Sequence, residues 1–584
     1  MKRLQTSILT LLAALPILAQ GWPQQYGGVM LQGFYWDSYA DTRWTNLEAQ
    51  ADELSQYFNL IWVPQSGYCN STTNQMGYSD IWWLDHRSCF GTEAELRSMI
   101  QTFAAKGTGI IADVVINHKN GNTSWCDFPN ESKNGYTLTW DNTNFSAICQ
   151  DDECNNATNL SKWSTNGQPT TGAKDTGDNF DGCRDLDHTN AQVQQNVKTY
   201  LNFLLADLGY AGFRYDMVKG YKPEYTGIYN VAAQPAYSVG EYWDGDKSKV
   251  VSWLNGTQQN GAVQSAAFDF PMKYLINAAF SNNGSGWSRL NGLALANDAQ
   301  WARYAVTFVD NHDTERNQDV LRANVEAANA YILCMPGTPC VWLSHWKSNK
   351  TAIKKLILVR KAAGLTNQSD ILTKEASADG YVLTTKGSKG NVMLLLGSAT
   401  APTDGYQLAV EGTNYKVYAS NGVDLSALDN VKDDAFTAPD CCTVADGEVC
   451  AFFEASSAWT NVHCYVWTGS TQYEGGWPGA ACTQVGTHNG KNVWKWSYSG
   501  SLTTLPANII FNNNNQGMQT NDLDFRNGGY YDEAGALTGV VTGIETVKAD
   551  ATADRKAAVY DLGGRRVETP RRGIYIQNGK KIIY

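Results

Sequence analysis

Residues 212–221, "GFRYDMVKGY", form a short apolar run that carries two opposite charges, Arg214 and Asp216, before it stops at Lys219-Gly220. Residues two apart on a strand share a face, so Arg214 and Asp216 point together while Phe213, Tyr215 and Met217 point the other way. An apolar row against helices, with a charged pair inward at the strand's C-terminal end, is the arrangement of a parallel barrel whose reactive groups gather at that end.

Outward from this stretch the same kind of run recurs: "GVMLQGFYW", "LIWVPQ", "TGIIADVVINH", "AYSVGEYW", "YAVTFVDNHD" and "PGTPCVWL". Between the runs lie segments of helical spacing, such as "NAQVQQNVKTYLNFLLADLG", which Gly209 ends. Strand-helix alternation over residues 20–364 predicts an α/β fold, a (β/α)8 TIM barrel. Residues from 119 to about 185 break the alternation; rich in Asn, Asp, Gly, Thr and Cys, they read as an inserted lobe held by disulfides or a metal.

Three further strand ends carry polar groups: Asp113, Asn117 and His118 in "DVVINH", Glu241 in "VGEYW", and His312 with Asp313 in "FVDNHD". Burying an unpaired ion costs several kcal/mol, so charge at the ends of four apolar runs marks a site of chemistry.

The chain has 584 residues, which suggests about four domains. Residues 365–440 read as antiparallel hairpins and a linker, 441–532 as a second β-rich unit, 533–548 as a small polar linker, and 549–584 as a small β tail with strands in "AVYDL", "GIYIQ" and "KKIIY". A net charge of -12 argues against a nucleic-acid partner, because phosphate binding needs clustered Lys and Arg. The 20 Trp and 30 Tyr suit a ligand with flat apolar faces, sugar rings among them.

Residues 1–19, with Lys2 and Arg3 before a short apolar run ending in small residues, have the layout of a secretory signal peptide cleaved after Ala19. In an exported chain, 13 Cys imply disulfides whose pairing the sequence leaves open.

In wording and order, the four charged segments resemble the four motifs of the α-amylase family, family 13 of the glycoside hydrolases, over about residues 28 to 425. "DGCRDLDH", "LQGFYW" and the Lys219-Gly220-Tyr221 ending are most similar to the plant-type subgroup. The resemblance implies that Asp216 is the nucleophile, Glu241 the general acid/base and Asp313 the transition-state stabiliser, with Arg214 keeping Asp216 ionised. It places Tyr78, His118, Lys219 and His312 against the sugar, Tyr78 stacking beneath it. Retaining hydrolysis fits these roles, since it needs two carboxyl groups about 5 Å apart, one ionised and one protonated. Glu241, between Gly240 and the aromatic Tyr242 and Trp243, is placed to keep its proton.

The same resemblance implies Ca2+ in the lobe, held by the side chains of Asn117, Asp175 and Asp185 and the backbone carbonyls of Asp178 and Gly220, an all-oxygen set of the kind calcium prefers. The stretch from "FFEASSAWTNVHCYVW" to "NIIFNNNNQGMQTNDLDF" resembles starch-binding modules of carbohydrate-binding family 26. In that likeness Tyr465 and Trp477 stack on glucose, and His463 stands where the family has an aromatic. The tail, with Gly-Arg-Arg-Val, "GIYI" and a Lys-rich end, resembles the sorting domain of type IX secretion.

The expected protein is a secreted or surface-bound monomeric α-amylase that cleaves α-1,4 bonds of starch and meets an outer-membrane secretion machinery through its tail. A 4-α-glucanotransferase or maltogenic relative shares the carboxylates and differs in its loops. A starch binder without catalysis would tolerate the loss of Asp216, Glu241 or Asp313, all of which are present.

Overall fold

The computed structural model describes residues 21–541 apart from 282–285, 378, 432–437, 446, 489–490, 501, 503, 534 and 536, together with four short strands between 559 and 583. The signal-peptide expectation lies outside the described residues. The chain divides into two compact units, Met1–Ala435 and Phe436–Tyr584.

In the first unit eight parallel strands close into a barrel in sequence order: β1 (Met30–Gln32), β2 (Leu60–Trp62), β3 (Gly109–Val114), β4 (Gly212–Tyr215), β5 (Tyr237–Gly240), β6 (Ala266–Phe268), β7 (Ala305–Phe308) and β8 (Thr338–Trp342). β8 closes the ring onto β1 with Met30 opposite Cys340. The strands are buried on both faces, which is why they read as continuous apolar runs. β6, only three apolar residues long, is the strand that periodicity does not reveal.

Register sets the level of the charged groups. Asp113 on β3 lies beside Arg214 on β4, and Val114, Tyr215 and Gly240 align across β3, β4 and β5. Asp216 and Glu241, each one residue beyond that row, therefore leave the barrel at the same height. Tyr215 donates its hydroxyl to Asn230 on the outer helix Pro223–Ala233, as the alternation predicts. Met217 departs from the expectation. β4 ends at Tyr215, and Met217 sits in the left-handed region (φ 42°, ψ 51°), its sulfur 3.7 Å from Asn117 Nδ2 instead of on the outer apolar row.

The predicted helix after "TN" forms as Ala191–Asn202, capped by Asn190, and continues as a wider turn to Leu208 before Gly209 (φ 90°) ends it. The inserted lobe leaves after β3. His118–Lys119 pairs antiparallel with Arg184–Asp185 at its base, and a hairpin (Glu131–Lys133, Tyr136–Leu138) and a helix (Ala157–Trp163) lie between. Beyond the barrel, five antiparallel strands from Ile371 to Ser420 form one sheet.

The second unit stacks two sheets around Phe453, Trp459, Val466, Trp494, Trp496 and Phe511. Leu537–Val540 corrects the reading of 533–548 as linker, because it pairs as an edge strand with Gly529–Asp532. The tail has four strands where three are read from sequence, the addition being Arg566–Val567 within the Gly-Arg-Arg-Val motif.

The thirteen cysteines are free in this structure, and the expected disulfides are not shown in it. Cys334 and Cys340 are packed into the barrel wall as small apolar side chains, and burial pushes the Cys334 thiol up to about 12. Cys126 meets Cys154, and Cys464 meets Cys482, side chain to side chain. Among the described residues no helix is long and apolar enough to cross a membrane.

Candidate active site

At the C-terminal ends of β3, β4, β5 and β7, one guanidinium gathers three carboxylates. Arg214 Nη1 lies 2.7 Å from Asp113 Oδ1 and 2.7 Å from Asp216 Oδ1, while Nη2 lies 2.8 Å from Glu241 Oε2. Arg214 is wholly buried and its guanidinium carbon sits 4.9 Å over the Trp62 ring, so the cation is held by charge below and an aromatic face above. One Arg thus makes the burial of three acids tolerable, as the strand alternation implies.

The oxygens of Glu241 are not equivalent. Oε2 faces Arg214 and accepts the Met217 N–H at 3.2 Å, whereas Oε1 is buried without a hydrogen-bond partner. Burial raises the Glu241 carboxyl well above the ordinary range; Arg214 opposes this, and Asp216 and Asp313 add to it. The left-handed turn at Met217 is what aims that N–H at the acid.

Asp113 also accepts from Trp62 Nε1 at 3.1 Å and from the Tyr78 hydroxyl at 2.9 Å, and burial pushes its carboxyl up to about 6. The Tyr78 hydroxyl lies 2.7 Å from His312 Nε2, which is itself 3.2 Å from Asp313 Oδ2. His118 donates Nε2–H to the Tyr78 carbonyl at 2.9 Å. Desolvation lowers both imidazoles below the ordinary histidine range, so they are neutral hydrogen-bonding groups. Asp313, on the helix His312–Arg316 that Asn311 caps, has its carboxyl raised by burial.

Asp216, Glu241, Asp313, Arg214, Tyr78, His118 and His312 thus converge on one place. Lys219 lies at its edge, bonded to Asp244 at 3.1 Å and 5.0 Å from the Tyr242 ring. Two side chains escape the sequence reading. Trp36, beyond β1, lies parallel to Tyr78 and His312 with centroids 6.0 Å away from each, and Arg316 covers it at 4.2 Å. Phe180 stacks on His118 at 4.1 Å.

The candidate metal set is built where the lobe meets β4. Asn117 Nδ2 is 3.3 Å from Asp185 Oδ1, and Asp178 N–H donates to the Lys219 carbonyl at 3.0 Å. Gly220 presses so near Asn117 that a Cβ would fall 1.9 Å from Oδ1, and a Cβ on Gly177 would fall 2.2 Å from the Lys219 carbonyl. Asp175 Oδ2 is buried without a partner. Burial, with neighbouring acids, pushes Asp185 up to about 8 and Asp175 up to about 6. Crowded oxygens lacking a counter-charge are what a hard cation fits. Among the described residues no group of three or more His, Cys, Asp or Glu could hold a metal ion, and the candidate set relies on an amide and two backbone carbonyls beside two carboxylates.

In the second unit His463, Tyr465 and Trp467 alternate with buried Cys464 and Val466, placing three rings on one face of the strand His463–Thr468. Tyr465 stacks on Trp467 at 5.0 Å and meets Trp477 edge-on at 5.7 Å; Trp477, 44 % exposed, donates to Asn515. His463 is hydrogen-bonded to the Gly479 carbonyl at 3.0 Å. Trp467 is absent from the sequence reading, though its spacing from Tyr465 could have found it.

Comparison with known proteins agrees with this geometry. Residues 58–345 match the family described as "Alpha amylase, catalytic domain", and residues 451–525 match "Starch-binding module 26". The chain is 29 % identical over 414 residues to "Probable alpha-amylase 2" of Arabidopsis thaliana, covering 67 % of this chain and 93 % of the relative. It is 28 % identical over 431 residues to a glucan 1,4-alpha-maltotetraohydrolase of Stutzerimonas stutzeri, covering 68 % and 73 %. The fold is similar to the α-amylase of Geobacillus thermoleovorans, solved with acarbose, with TM-score 0.50 and 14 % identity over 67 % of this chain and 98 % of that one.

Proposed function

From an α-amylase catalytic domain at residues 58–345 and a starch-binding module at 451–525, which make the chain a glycoside hydrolase, we propose an exported, monomeric α-amylase that cleaves internal α-1,4 bonds of starch with retention. The carrying observation is the Arg214 guanidinium shared by Asp216 and Glu241, with the second oxygen of Glu241 buried and unpaired.

Asp216, 2.7 Å from the Arg214 guanidinium, attacks the anomeric carbon. Glu241, kept protonated by burial, gives its proton to the leaving oxygen, and the glycosyl-Asp216 ester forms as the bond to the leaving sugar breaks. Glu241, now ionised, takes a proton from water, whose oxygen replaces Asp216 at the same carbon. Asp313 and the parallel rings of Tyr78 and His312 stand where the flattened, cationic sugar needs negative charge and a flat face.

Asn117, Asp175, Asp185 and the carbonyls of Asp178 and Gly220 would hold Ca2+, whose charge would offset the buried acids and brace the lobe against the end of β4. The plant-type wording of "LQGFYW" and "DGCRDLDH", the apolar N-terminal run and the strands of the tail support the finer reading of a plant-type enzyme exported by the type IX route.

Proton NMR of maltopentaose digestion tests the chemistry. The first products should carry the α anomer, and β product would exclude retention. Asp216→Asn and Glu241→Gln should each lower kcat by about a thousandfold or more with substrate still bound.

A further inference from the structure

We propose that Gln32 fixes the tautomer of His312, so that the imidazole presents Nε2–H to the catalytic pocket. The inference rests on the reading of that pocket as a glucan-cleaving site. Gln32 ends β1, 1 % exposed, and its Nε2 lies 2.9 Å from His312 Nδ1. The other ring nitrogen faces the Tyr78 hydroxyl at 2.7 Å and the Asp313 carboxylate at 3.2 Å. His312 is wholly buried beside Phe34 and Trp62, and desolvation and the charges of Arg214 and Arg316 hold it neutral against the pull of Asp216.

A neutral imidazole has one N–H, and two arrangements are possible. With the proton on Nδ1, Gln32 must turn its oxygen to the ring. The lone pair of Nε2 then opposes the Asp313 oxygen, acceptor against acceptor. With the proton on Nε2, the Gln32 amide donates to Nδ1, the ring donates toward Asp313 or Tyr78, and Tyr78 donates to Asp113 at 2.9 Å. Every contact then joins a donor to an acceptor. Either orientation of the amide leaves one end of Gln32 unpaired, Oε1 in this one, so the contact with Asp313 decides.

Gln32 touches neither sugar nor reacting carboxylate in this scheme. It is a positioning residue, acting through His312 on the orientation of Asp313 and on the donor offered to a sugar hydroxyl.

Protein labelled with 15N-histidine provides the test, because the chain has only seven histidines and the signals lost in His312→Asn identify the ring. The unaltered protein at neutral pH should show His312 neutral and protonated at Nε2. Gln32→Met, of similar length without a donor, should give mixed tautomers and lower kcat about tenfold, with KM within about twofold. Gln32→Glu, which can only accept, should move a proton onto Nδ1 and lower kcat further. A wild-type ring protonated at Nδ1, or His312 signals unchanged in both variants, overturns the proposal. Should neither variant fold, the wild-type spectrum still decides. If the protein cleaves no α-glucan yet shows the Nε2 tautomer, the functional reading fails and this inference stands.

Discussion

Arg214 holds Glu241 by one oxygen only, Nη2 to Oε2 at 2.8 Å, and the remaining oxygen of the acid has no hydrogen-bond partner among the described residues. A carboxyl held in this way keeps its proton on the free oxygen, where a glycosidic oxygen can take it.

The alkaline limb of kcat/KM should therefore belong to Glu241 and lie well above the ordinary glutamate range. Burial raises its carboxyl, so the active acid form persists below the raised value and is lost as pH climbs through it. The same shift works against the fold: above the unfolded value, Glu241 binds its proton more tightly folded than unfolded, so its ionisation lowers stability as pH rises. Asp113→Asn removes one of three acids around Arg214, leaves the guanidinium less compensated, and should move the limb to lower pH. A pH–rate profile of both proteins checks this; an unmoved limb would show that Asp113 does not act on Glu241.

Removing calcium with EDTA should lower Tm by several degrees and activity with it, because a ligand bound at a hundredfold excess over its Kd contributes about 2.7 kcal/mol. Asp175→Asn should reproduce most of the loss, since it neutralises the carboxylate of the cradle whose Oδ2 is buried without a partner among the described residues. Calorimetry with and without added calcium measures it, and equal melting in both conditions would remove the metal from the account.

Trp477→Ala and Trp467→Ala should each weaken adsorption to raw starch granules about tenfold and leave kcat on soluble starch unchanged. The two rings flank Tyr465, one edge-on and one stacked. Granule depletion assays decide, and undiminished adsorption would mean that these rings only support the sandwich.

Deleting residues 549–584 should leave the purified enzyme as active as before and strand it in the periplasm of its native host. Fractionation of the deletion strain reads the outcome; enzyme found outside the outer membrane would make the tail a structural appendage.

The convergence of the carboxylates was legible because charge is rare on strands buried on both faces, and four such ends stand out against apolar runs. β6 was not, since three consecutive apolar residues have no period to detect, and only the closure of the barrel reveals it. Trp36 and Phe180 were beyond reach for another reason: they meet Tyr78 and His118 from loops distant in sequence, and no local pattern records such a meeting. Met217 misled because strand alternation was extended past the point where the backbone turns left-handed. The ring-bearing face of the second unit was half legible. Tyr465 and Trp477 come from the family likeness, whereas Trp467 follows from alternation alone once the strand is drawn.

The two-residue clasp at the base of the lobe, His118 against Asp185 and Lys119 against Arg184, joins the pocket and the cation cradle in one piece of backbone. An imidazole of the pocket and a candidate metal ligand are thus neighbours across a single ladder. Local opening of the lobe at this ladder would therefore disturb both the pocket and the cradle. Thermal inactivation should then run ahead of barrel unfolding, with the clasp as the first cooperative unit to fail and metal release and loss of turnover arriving as one event.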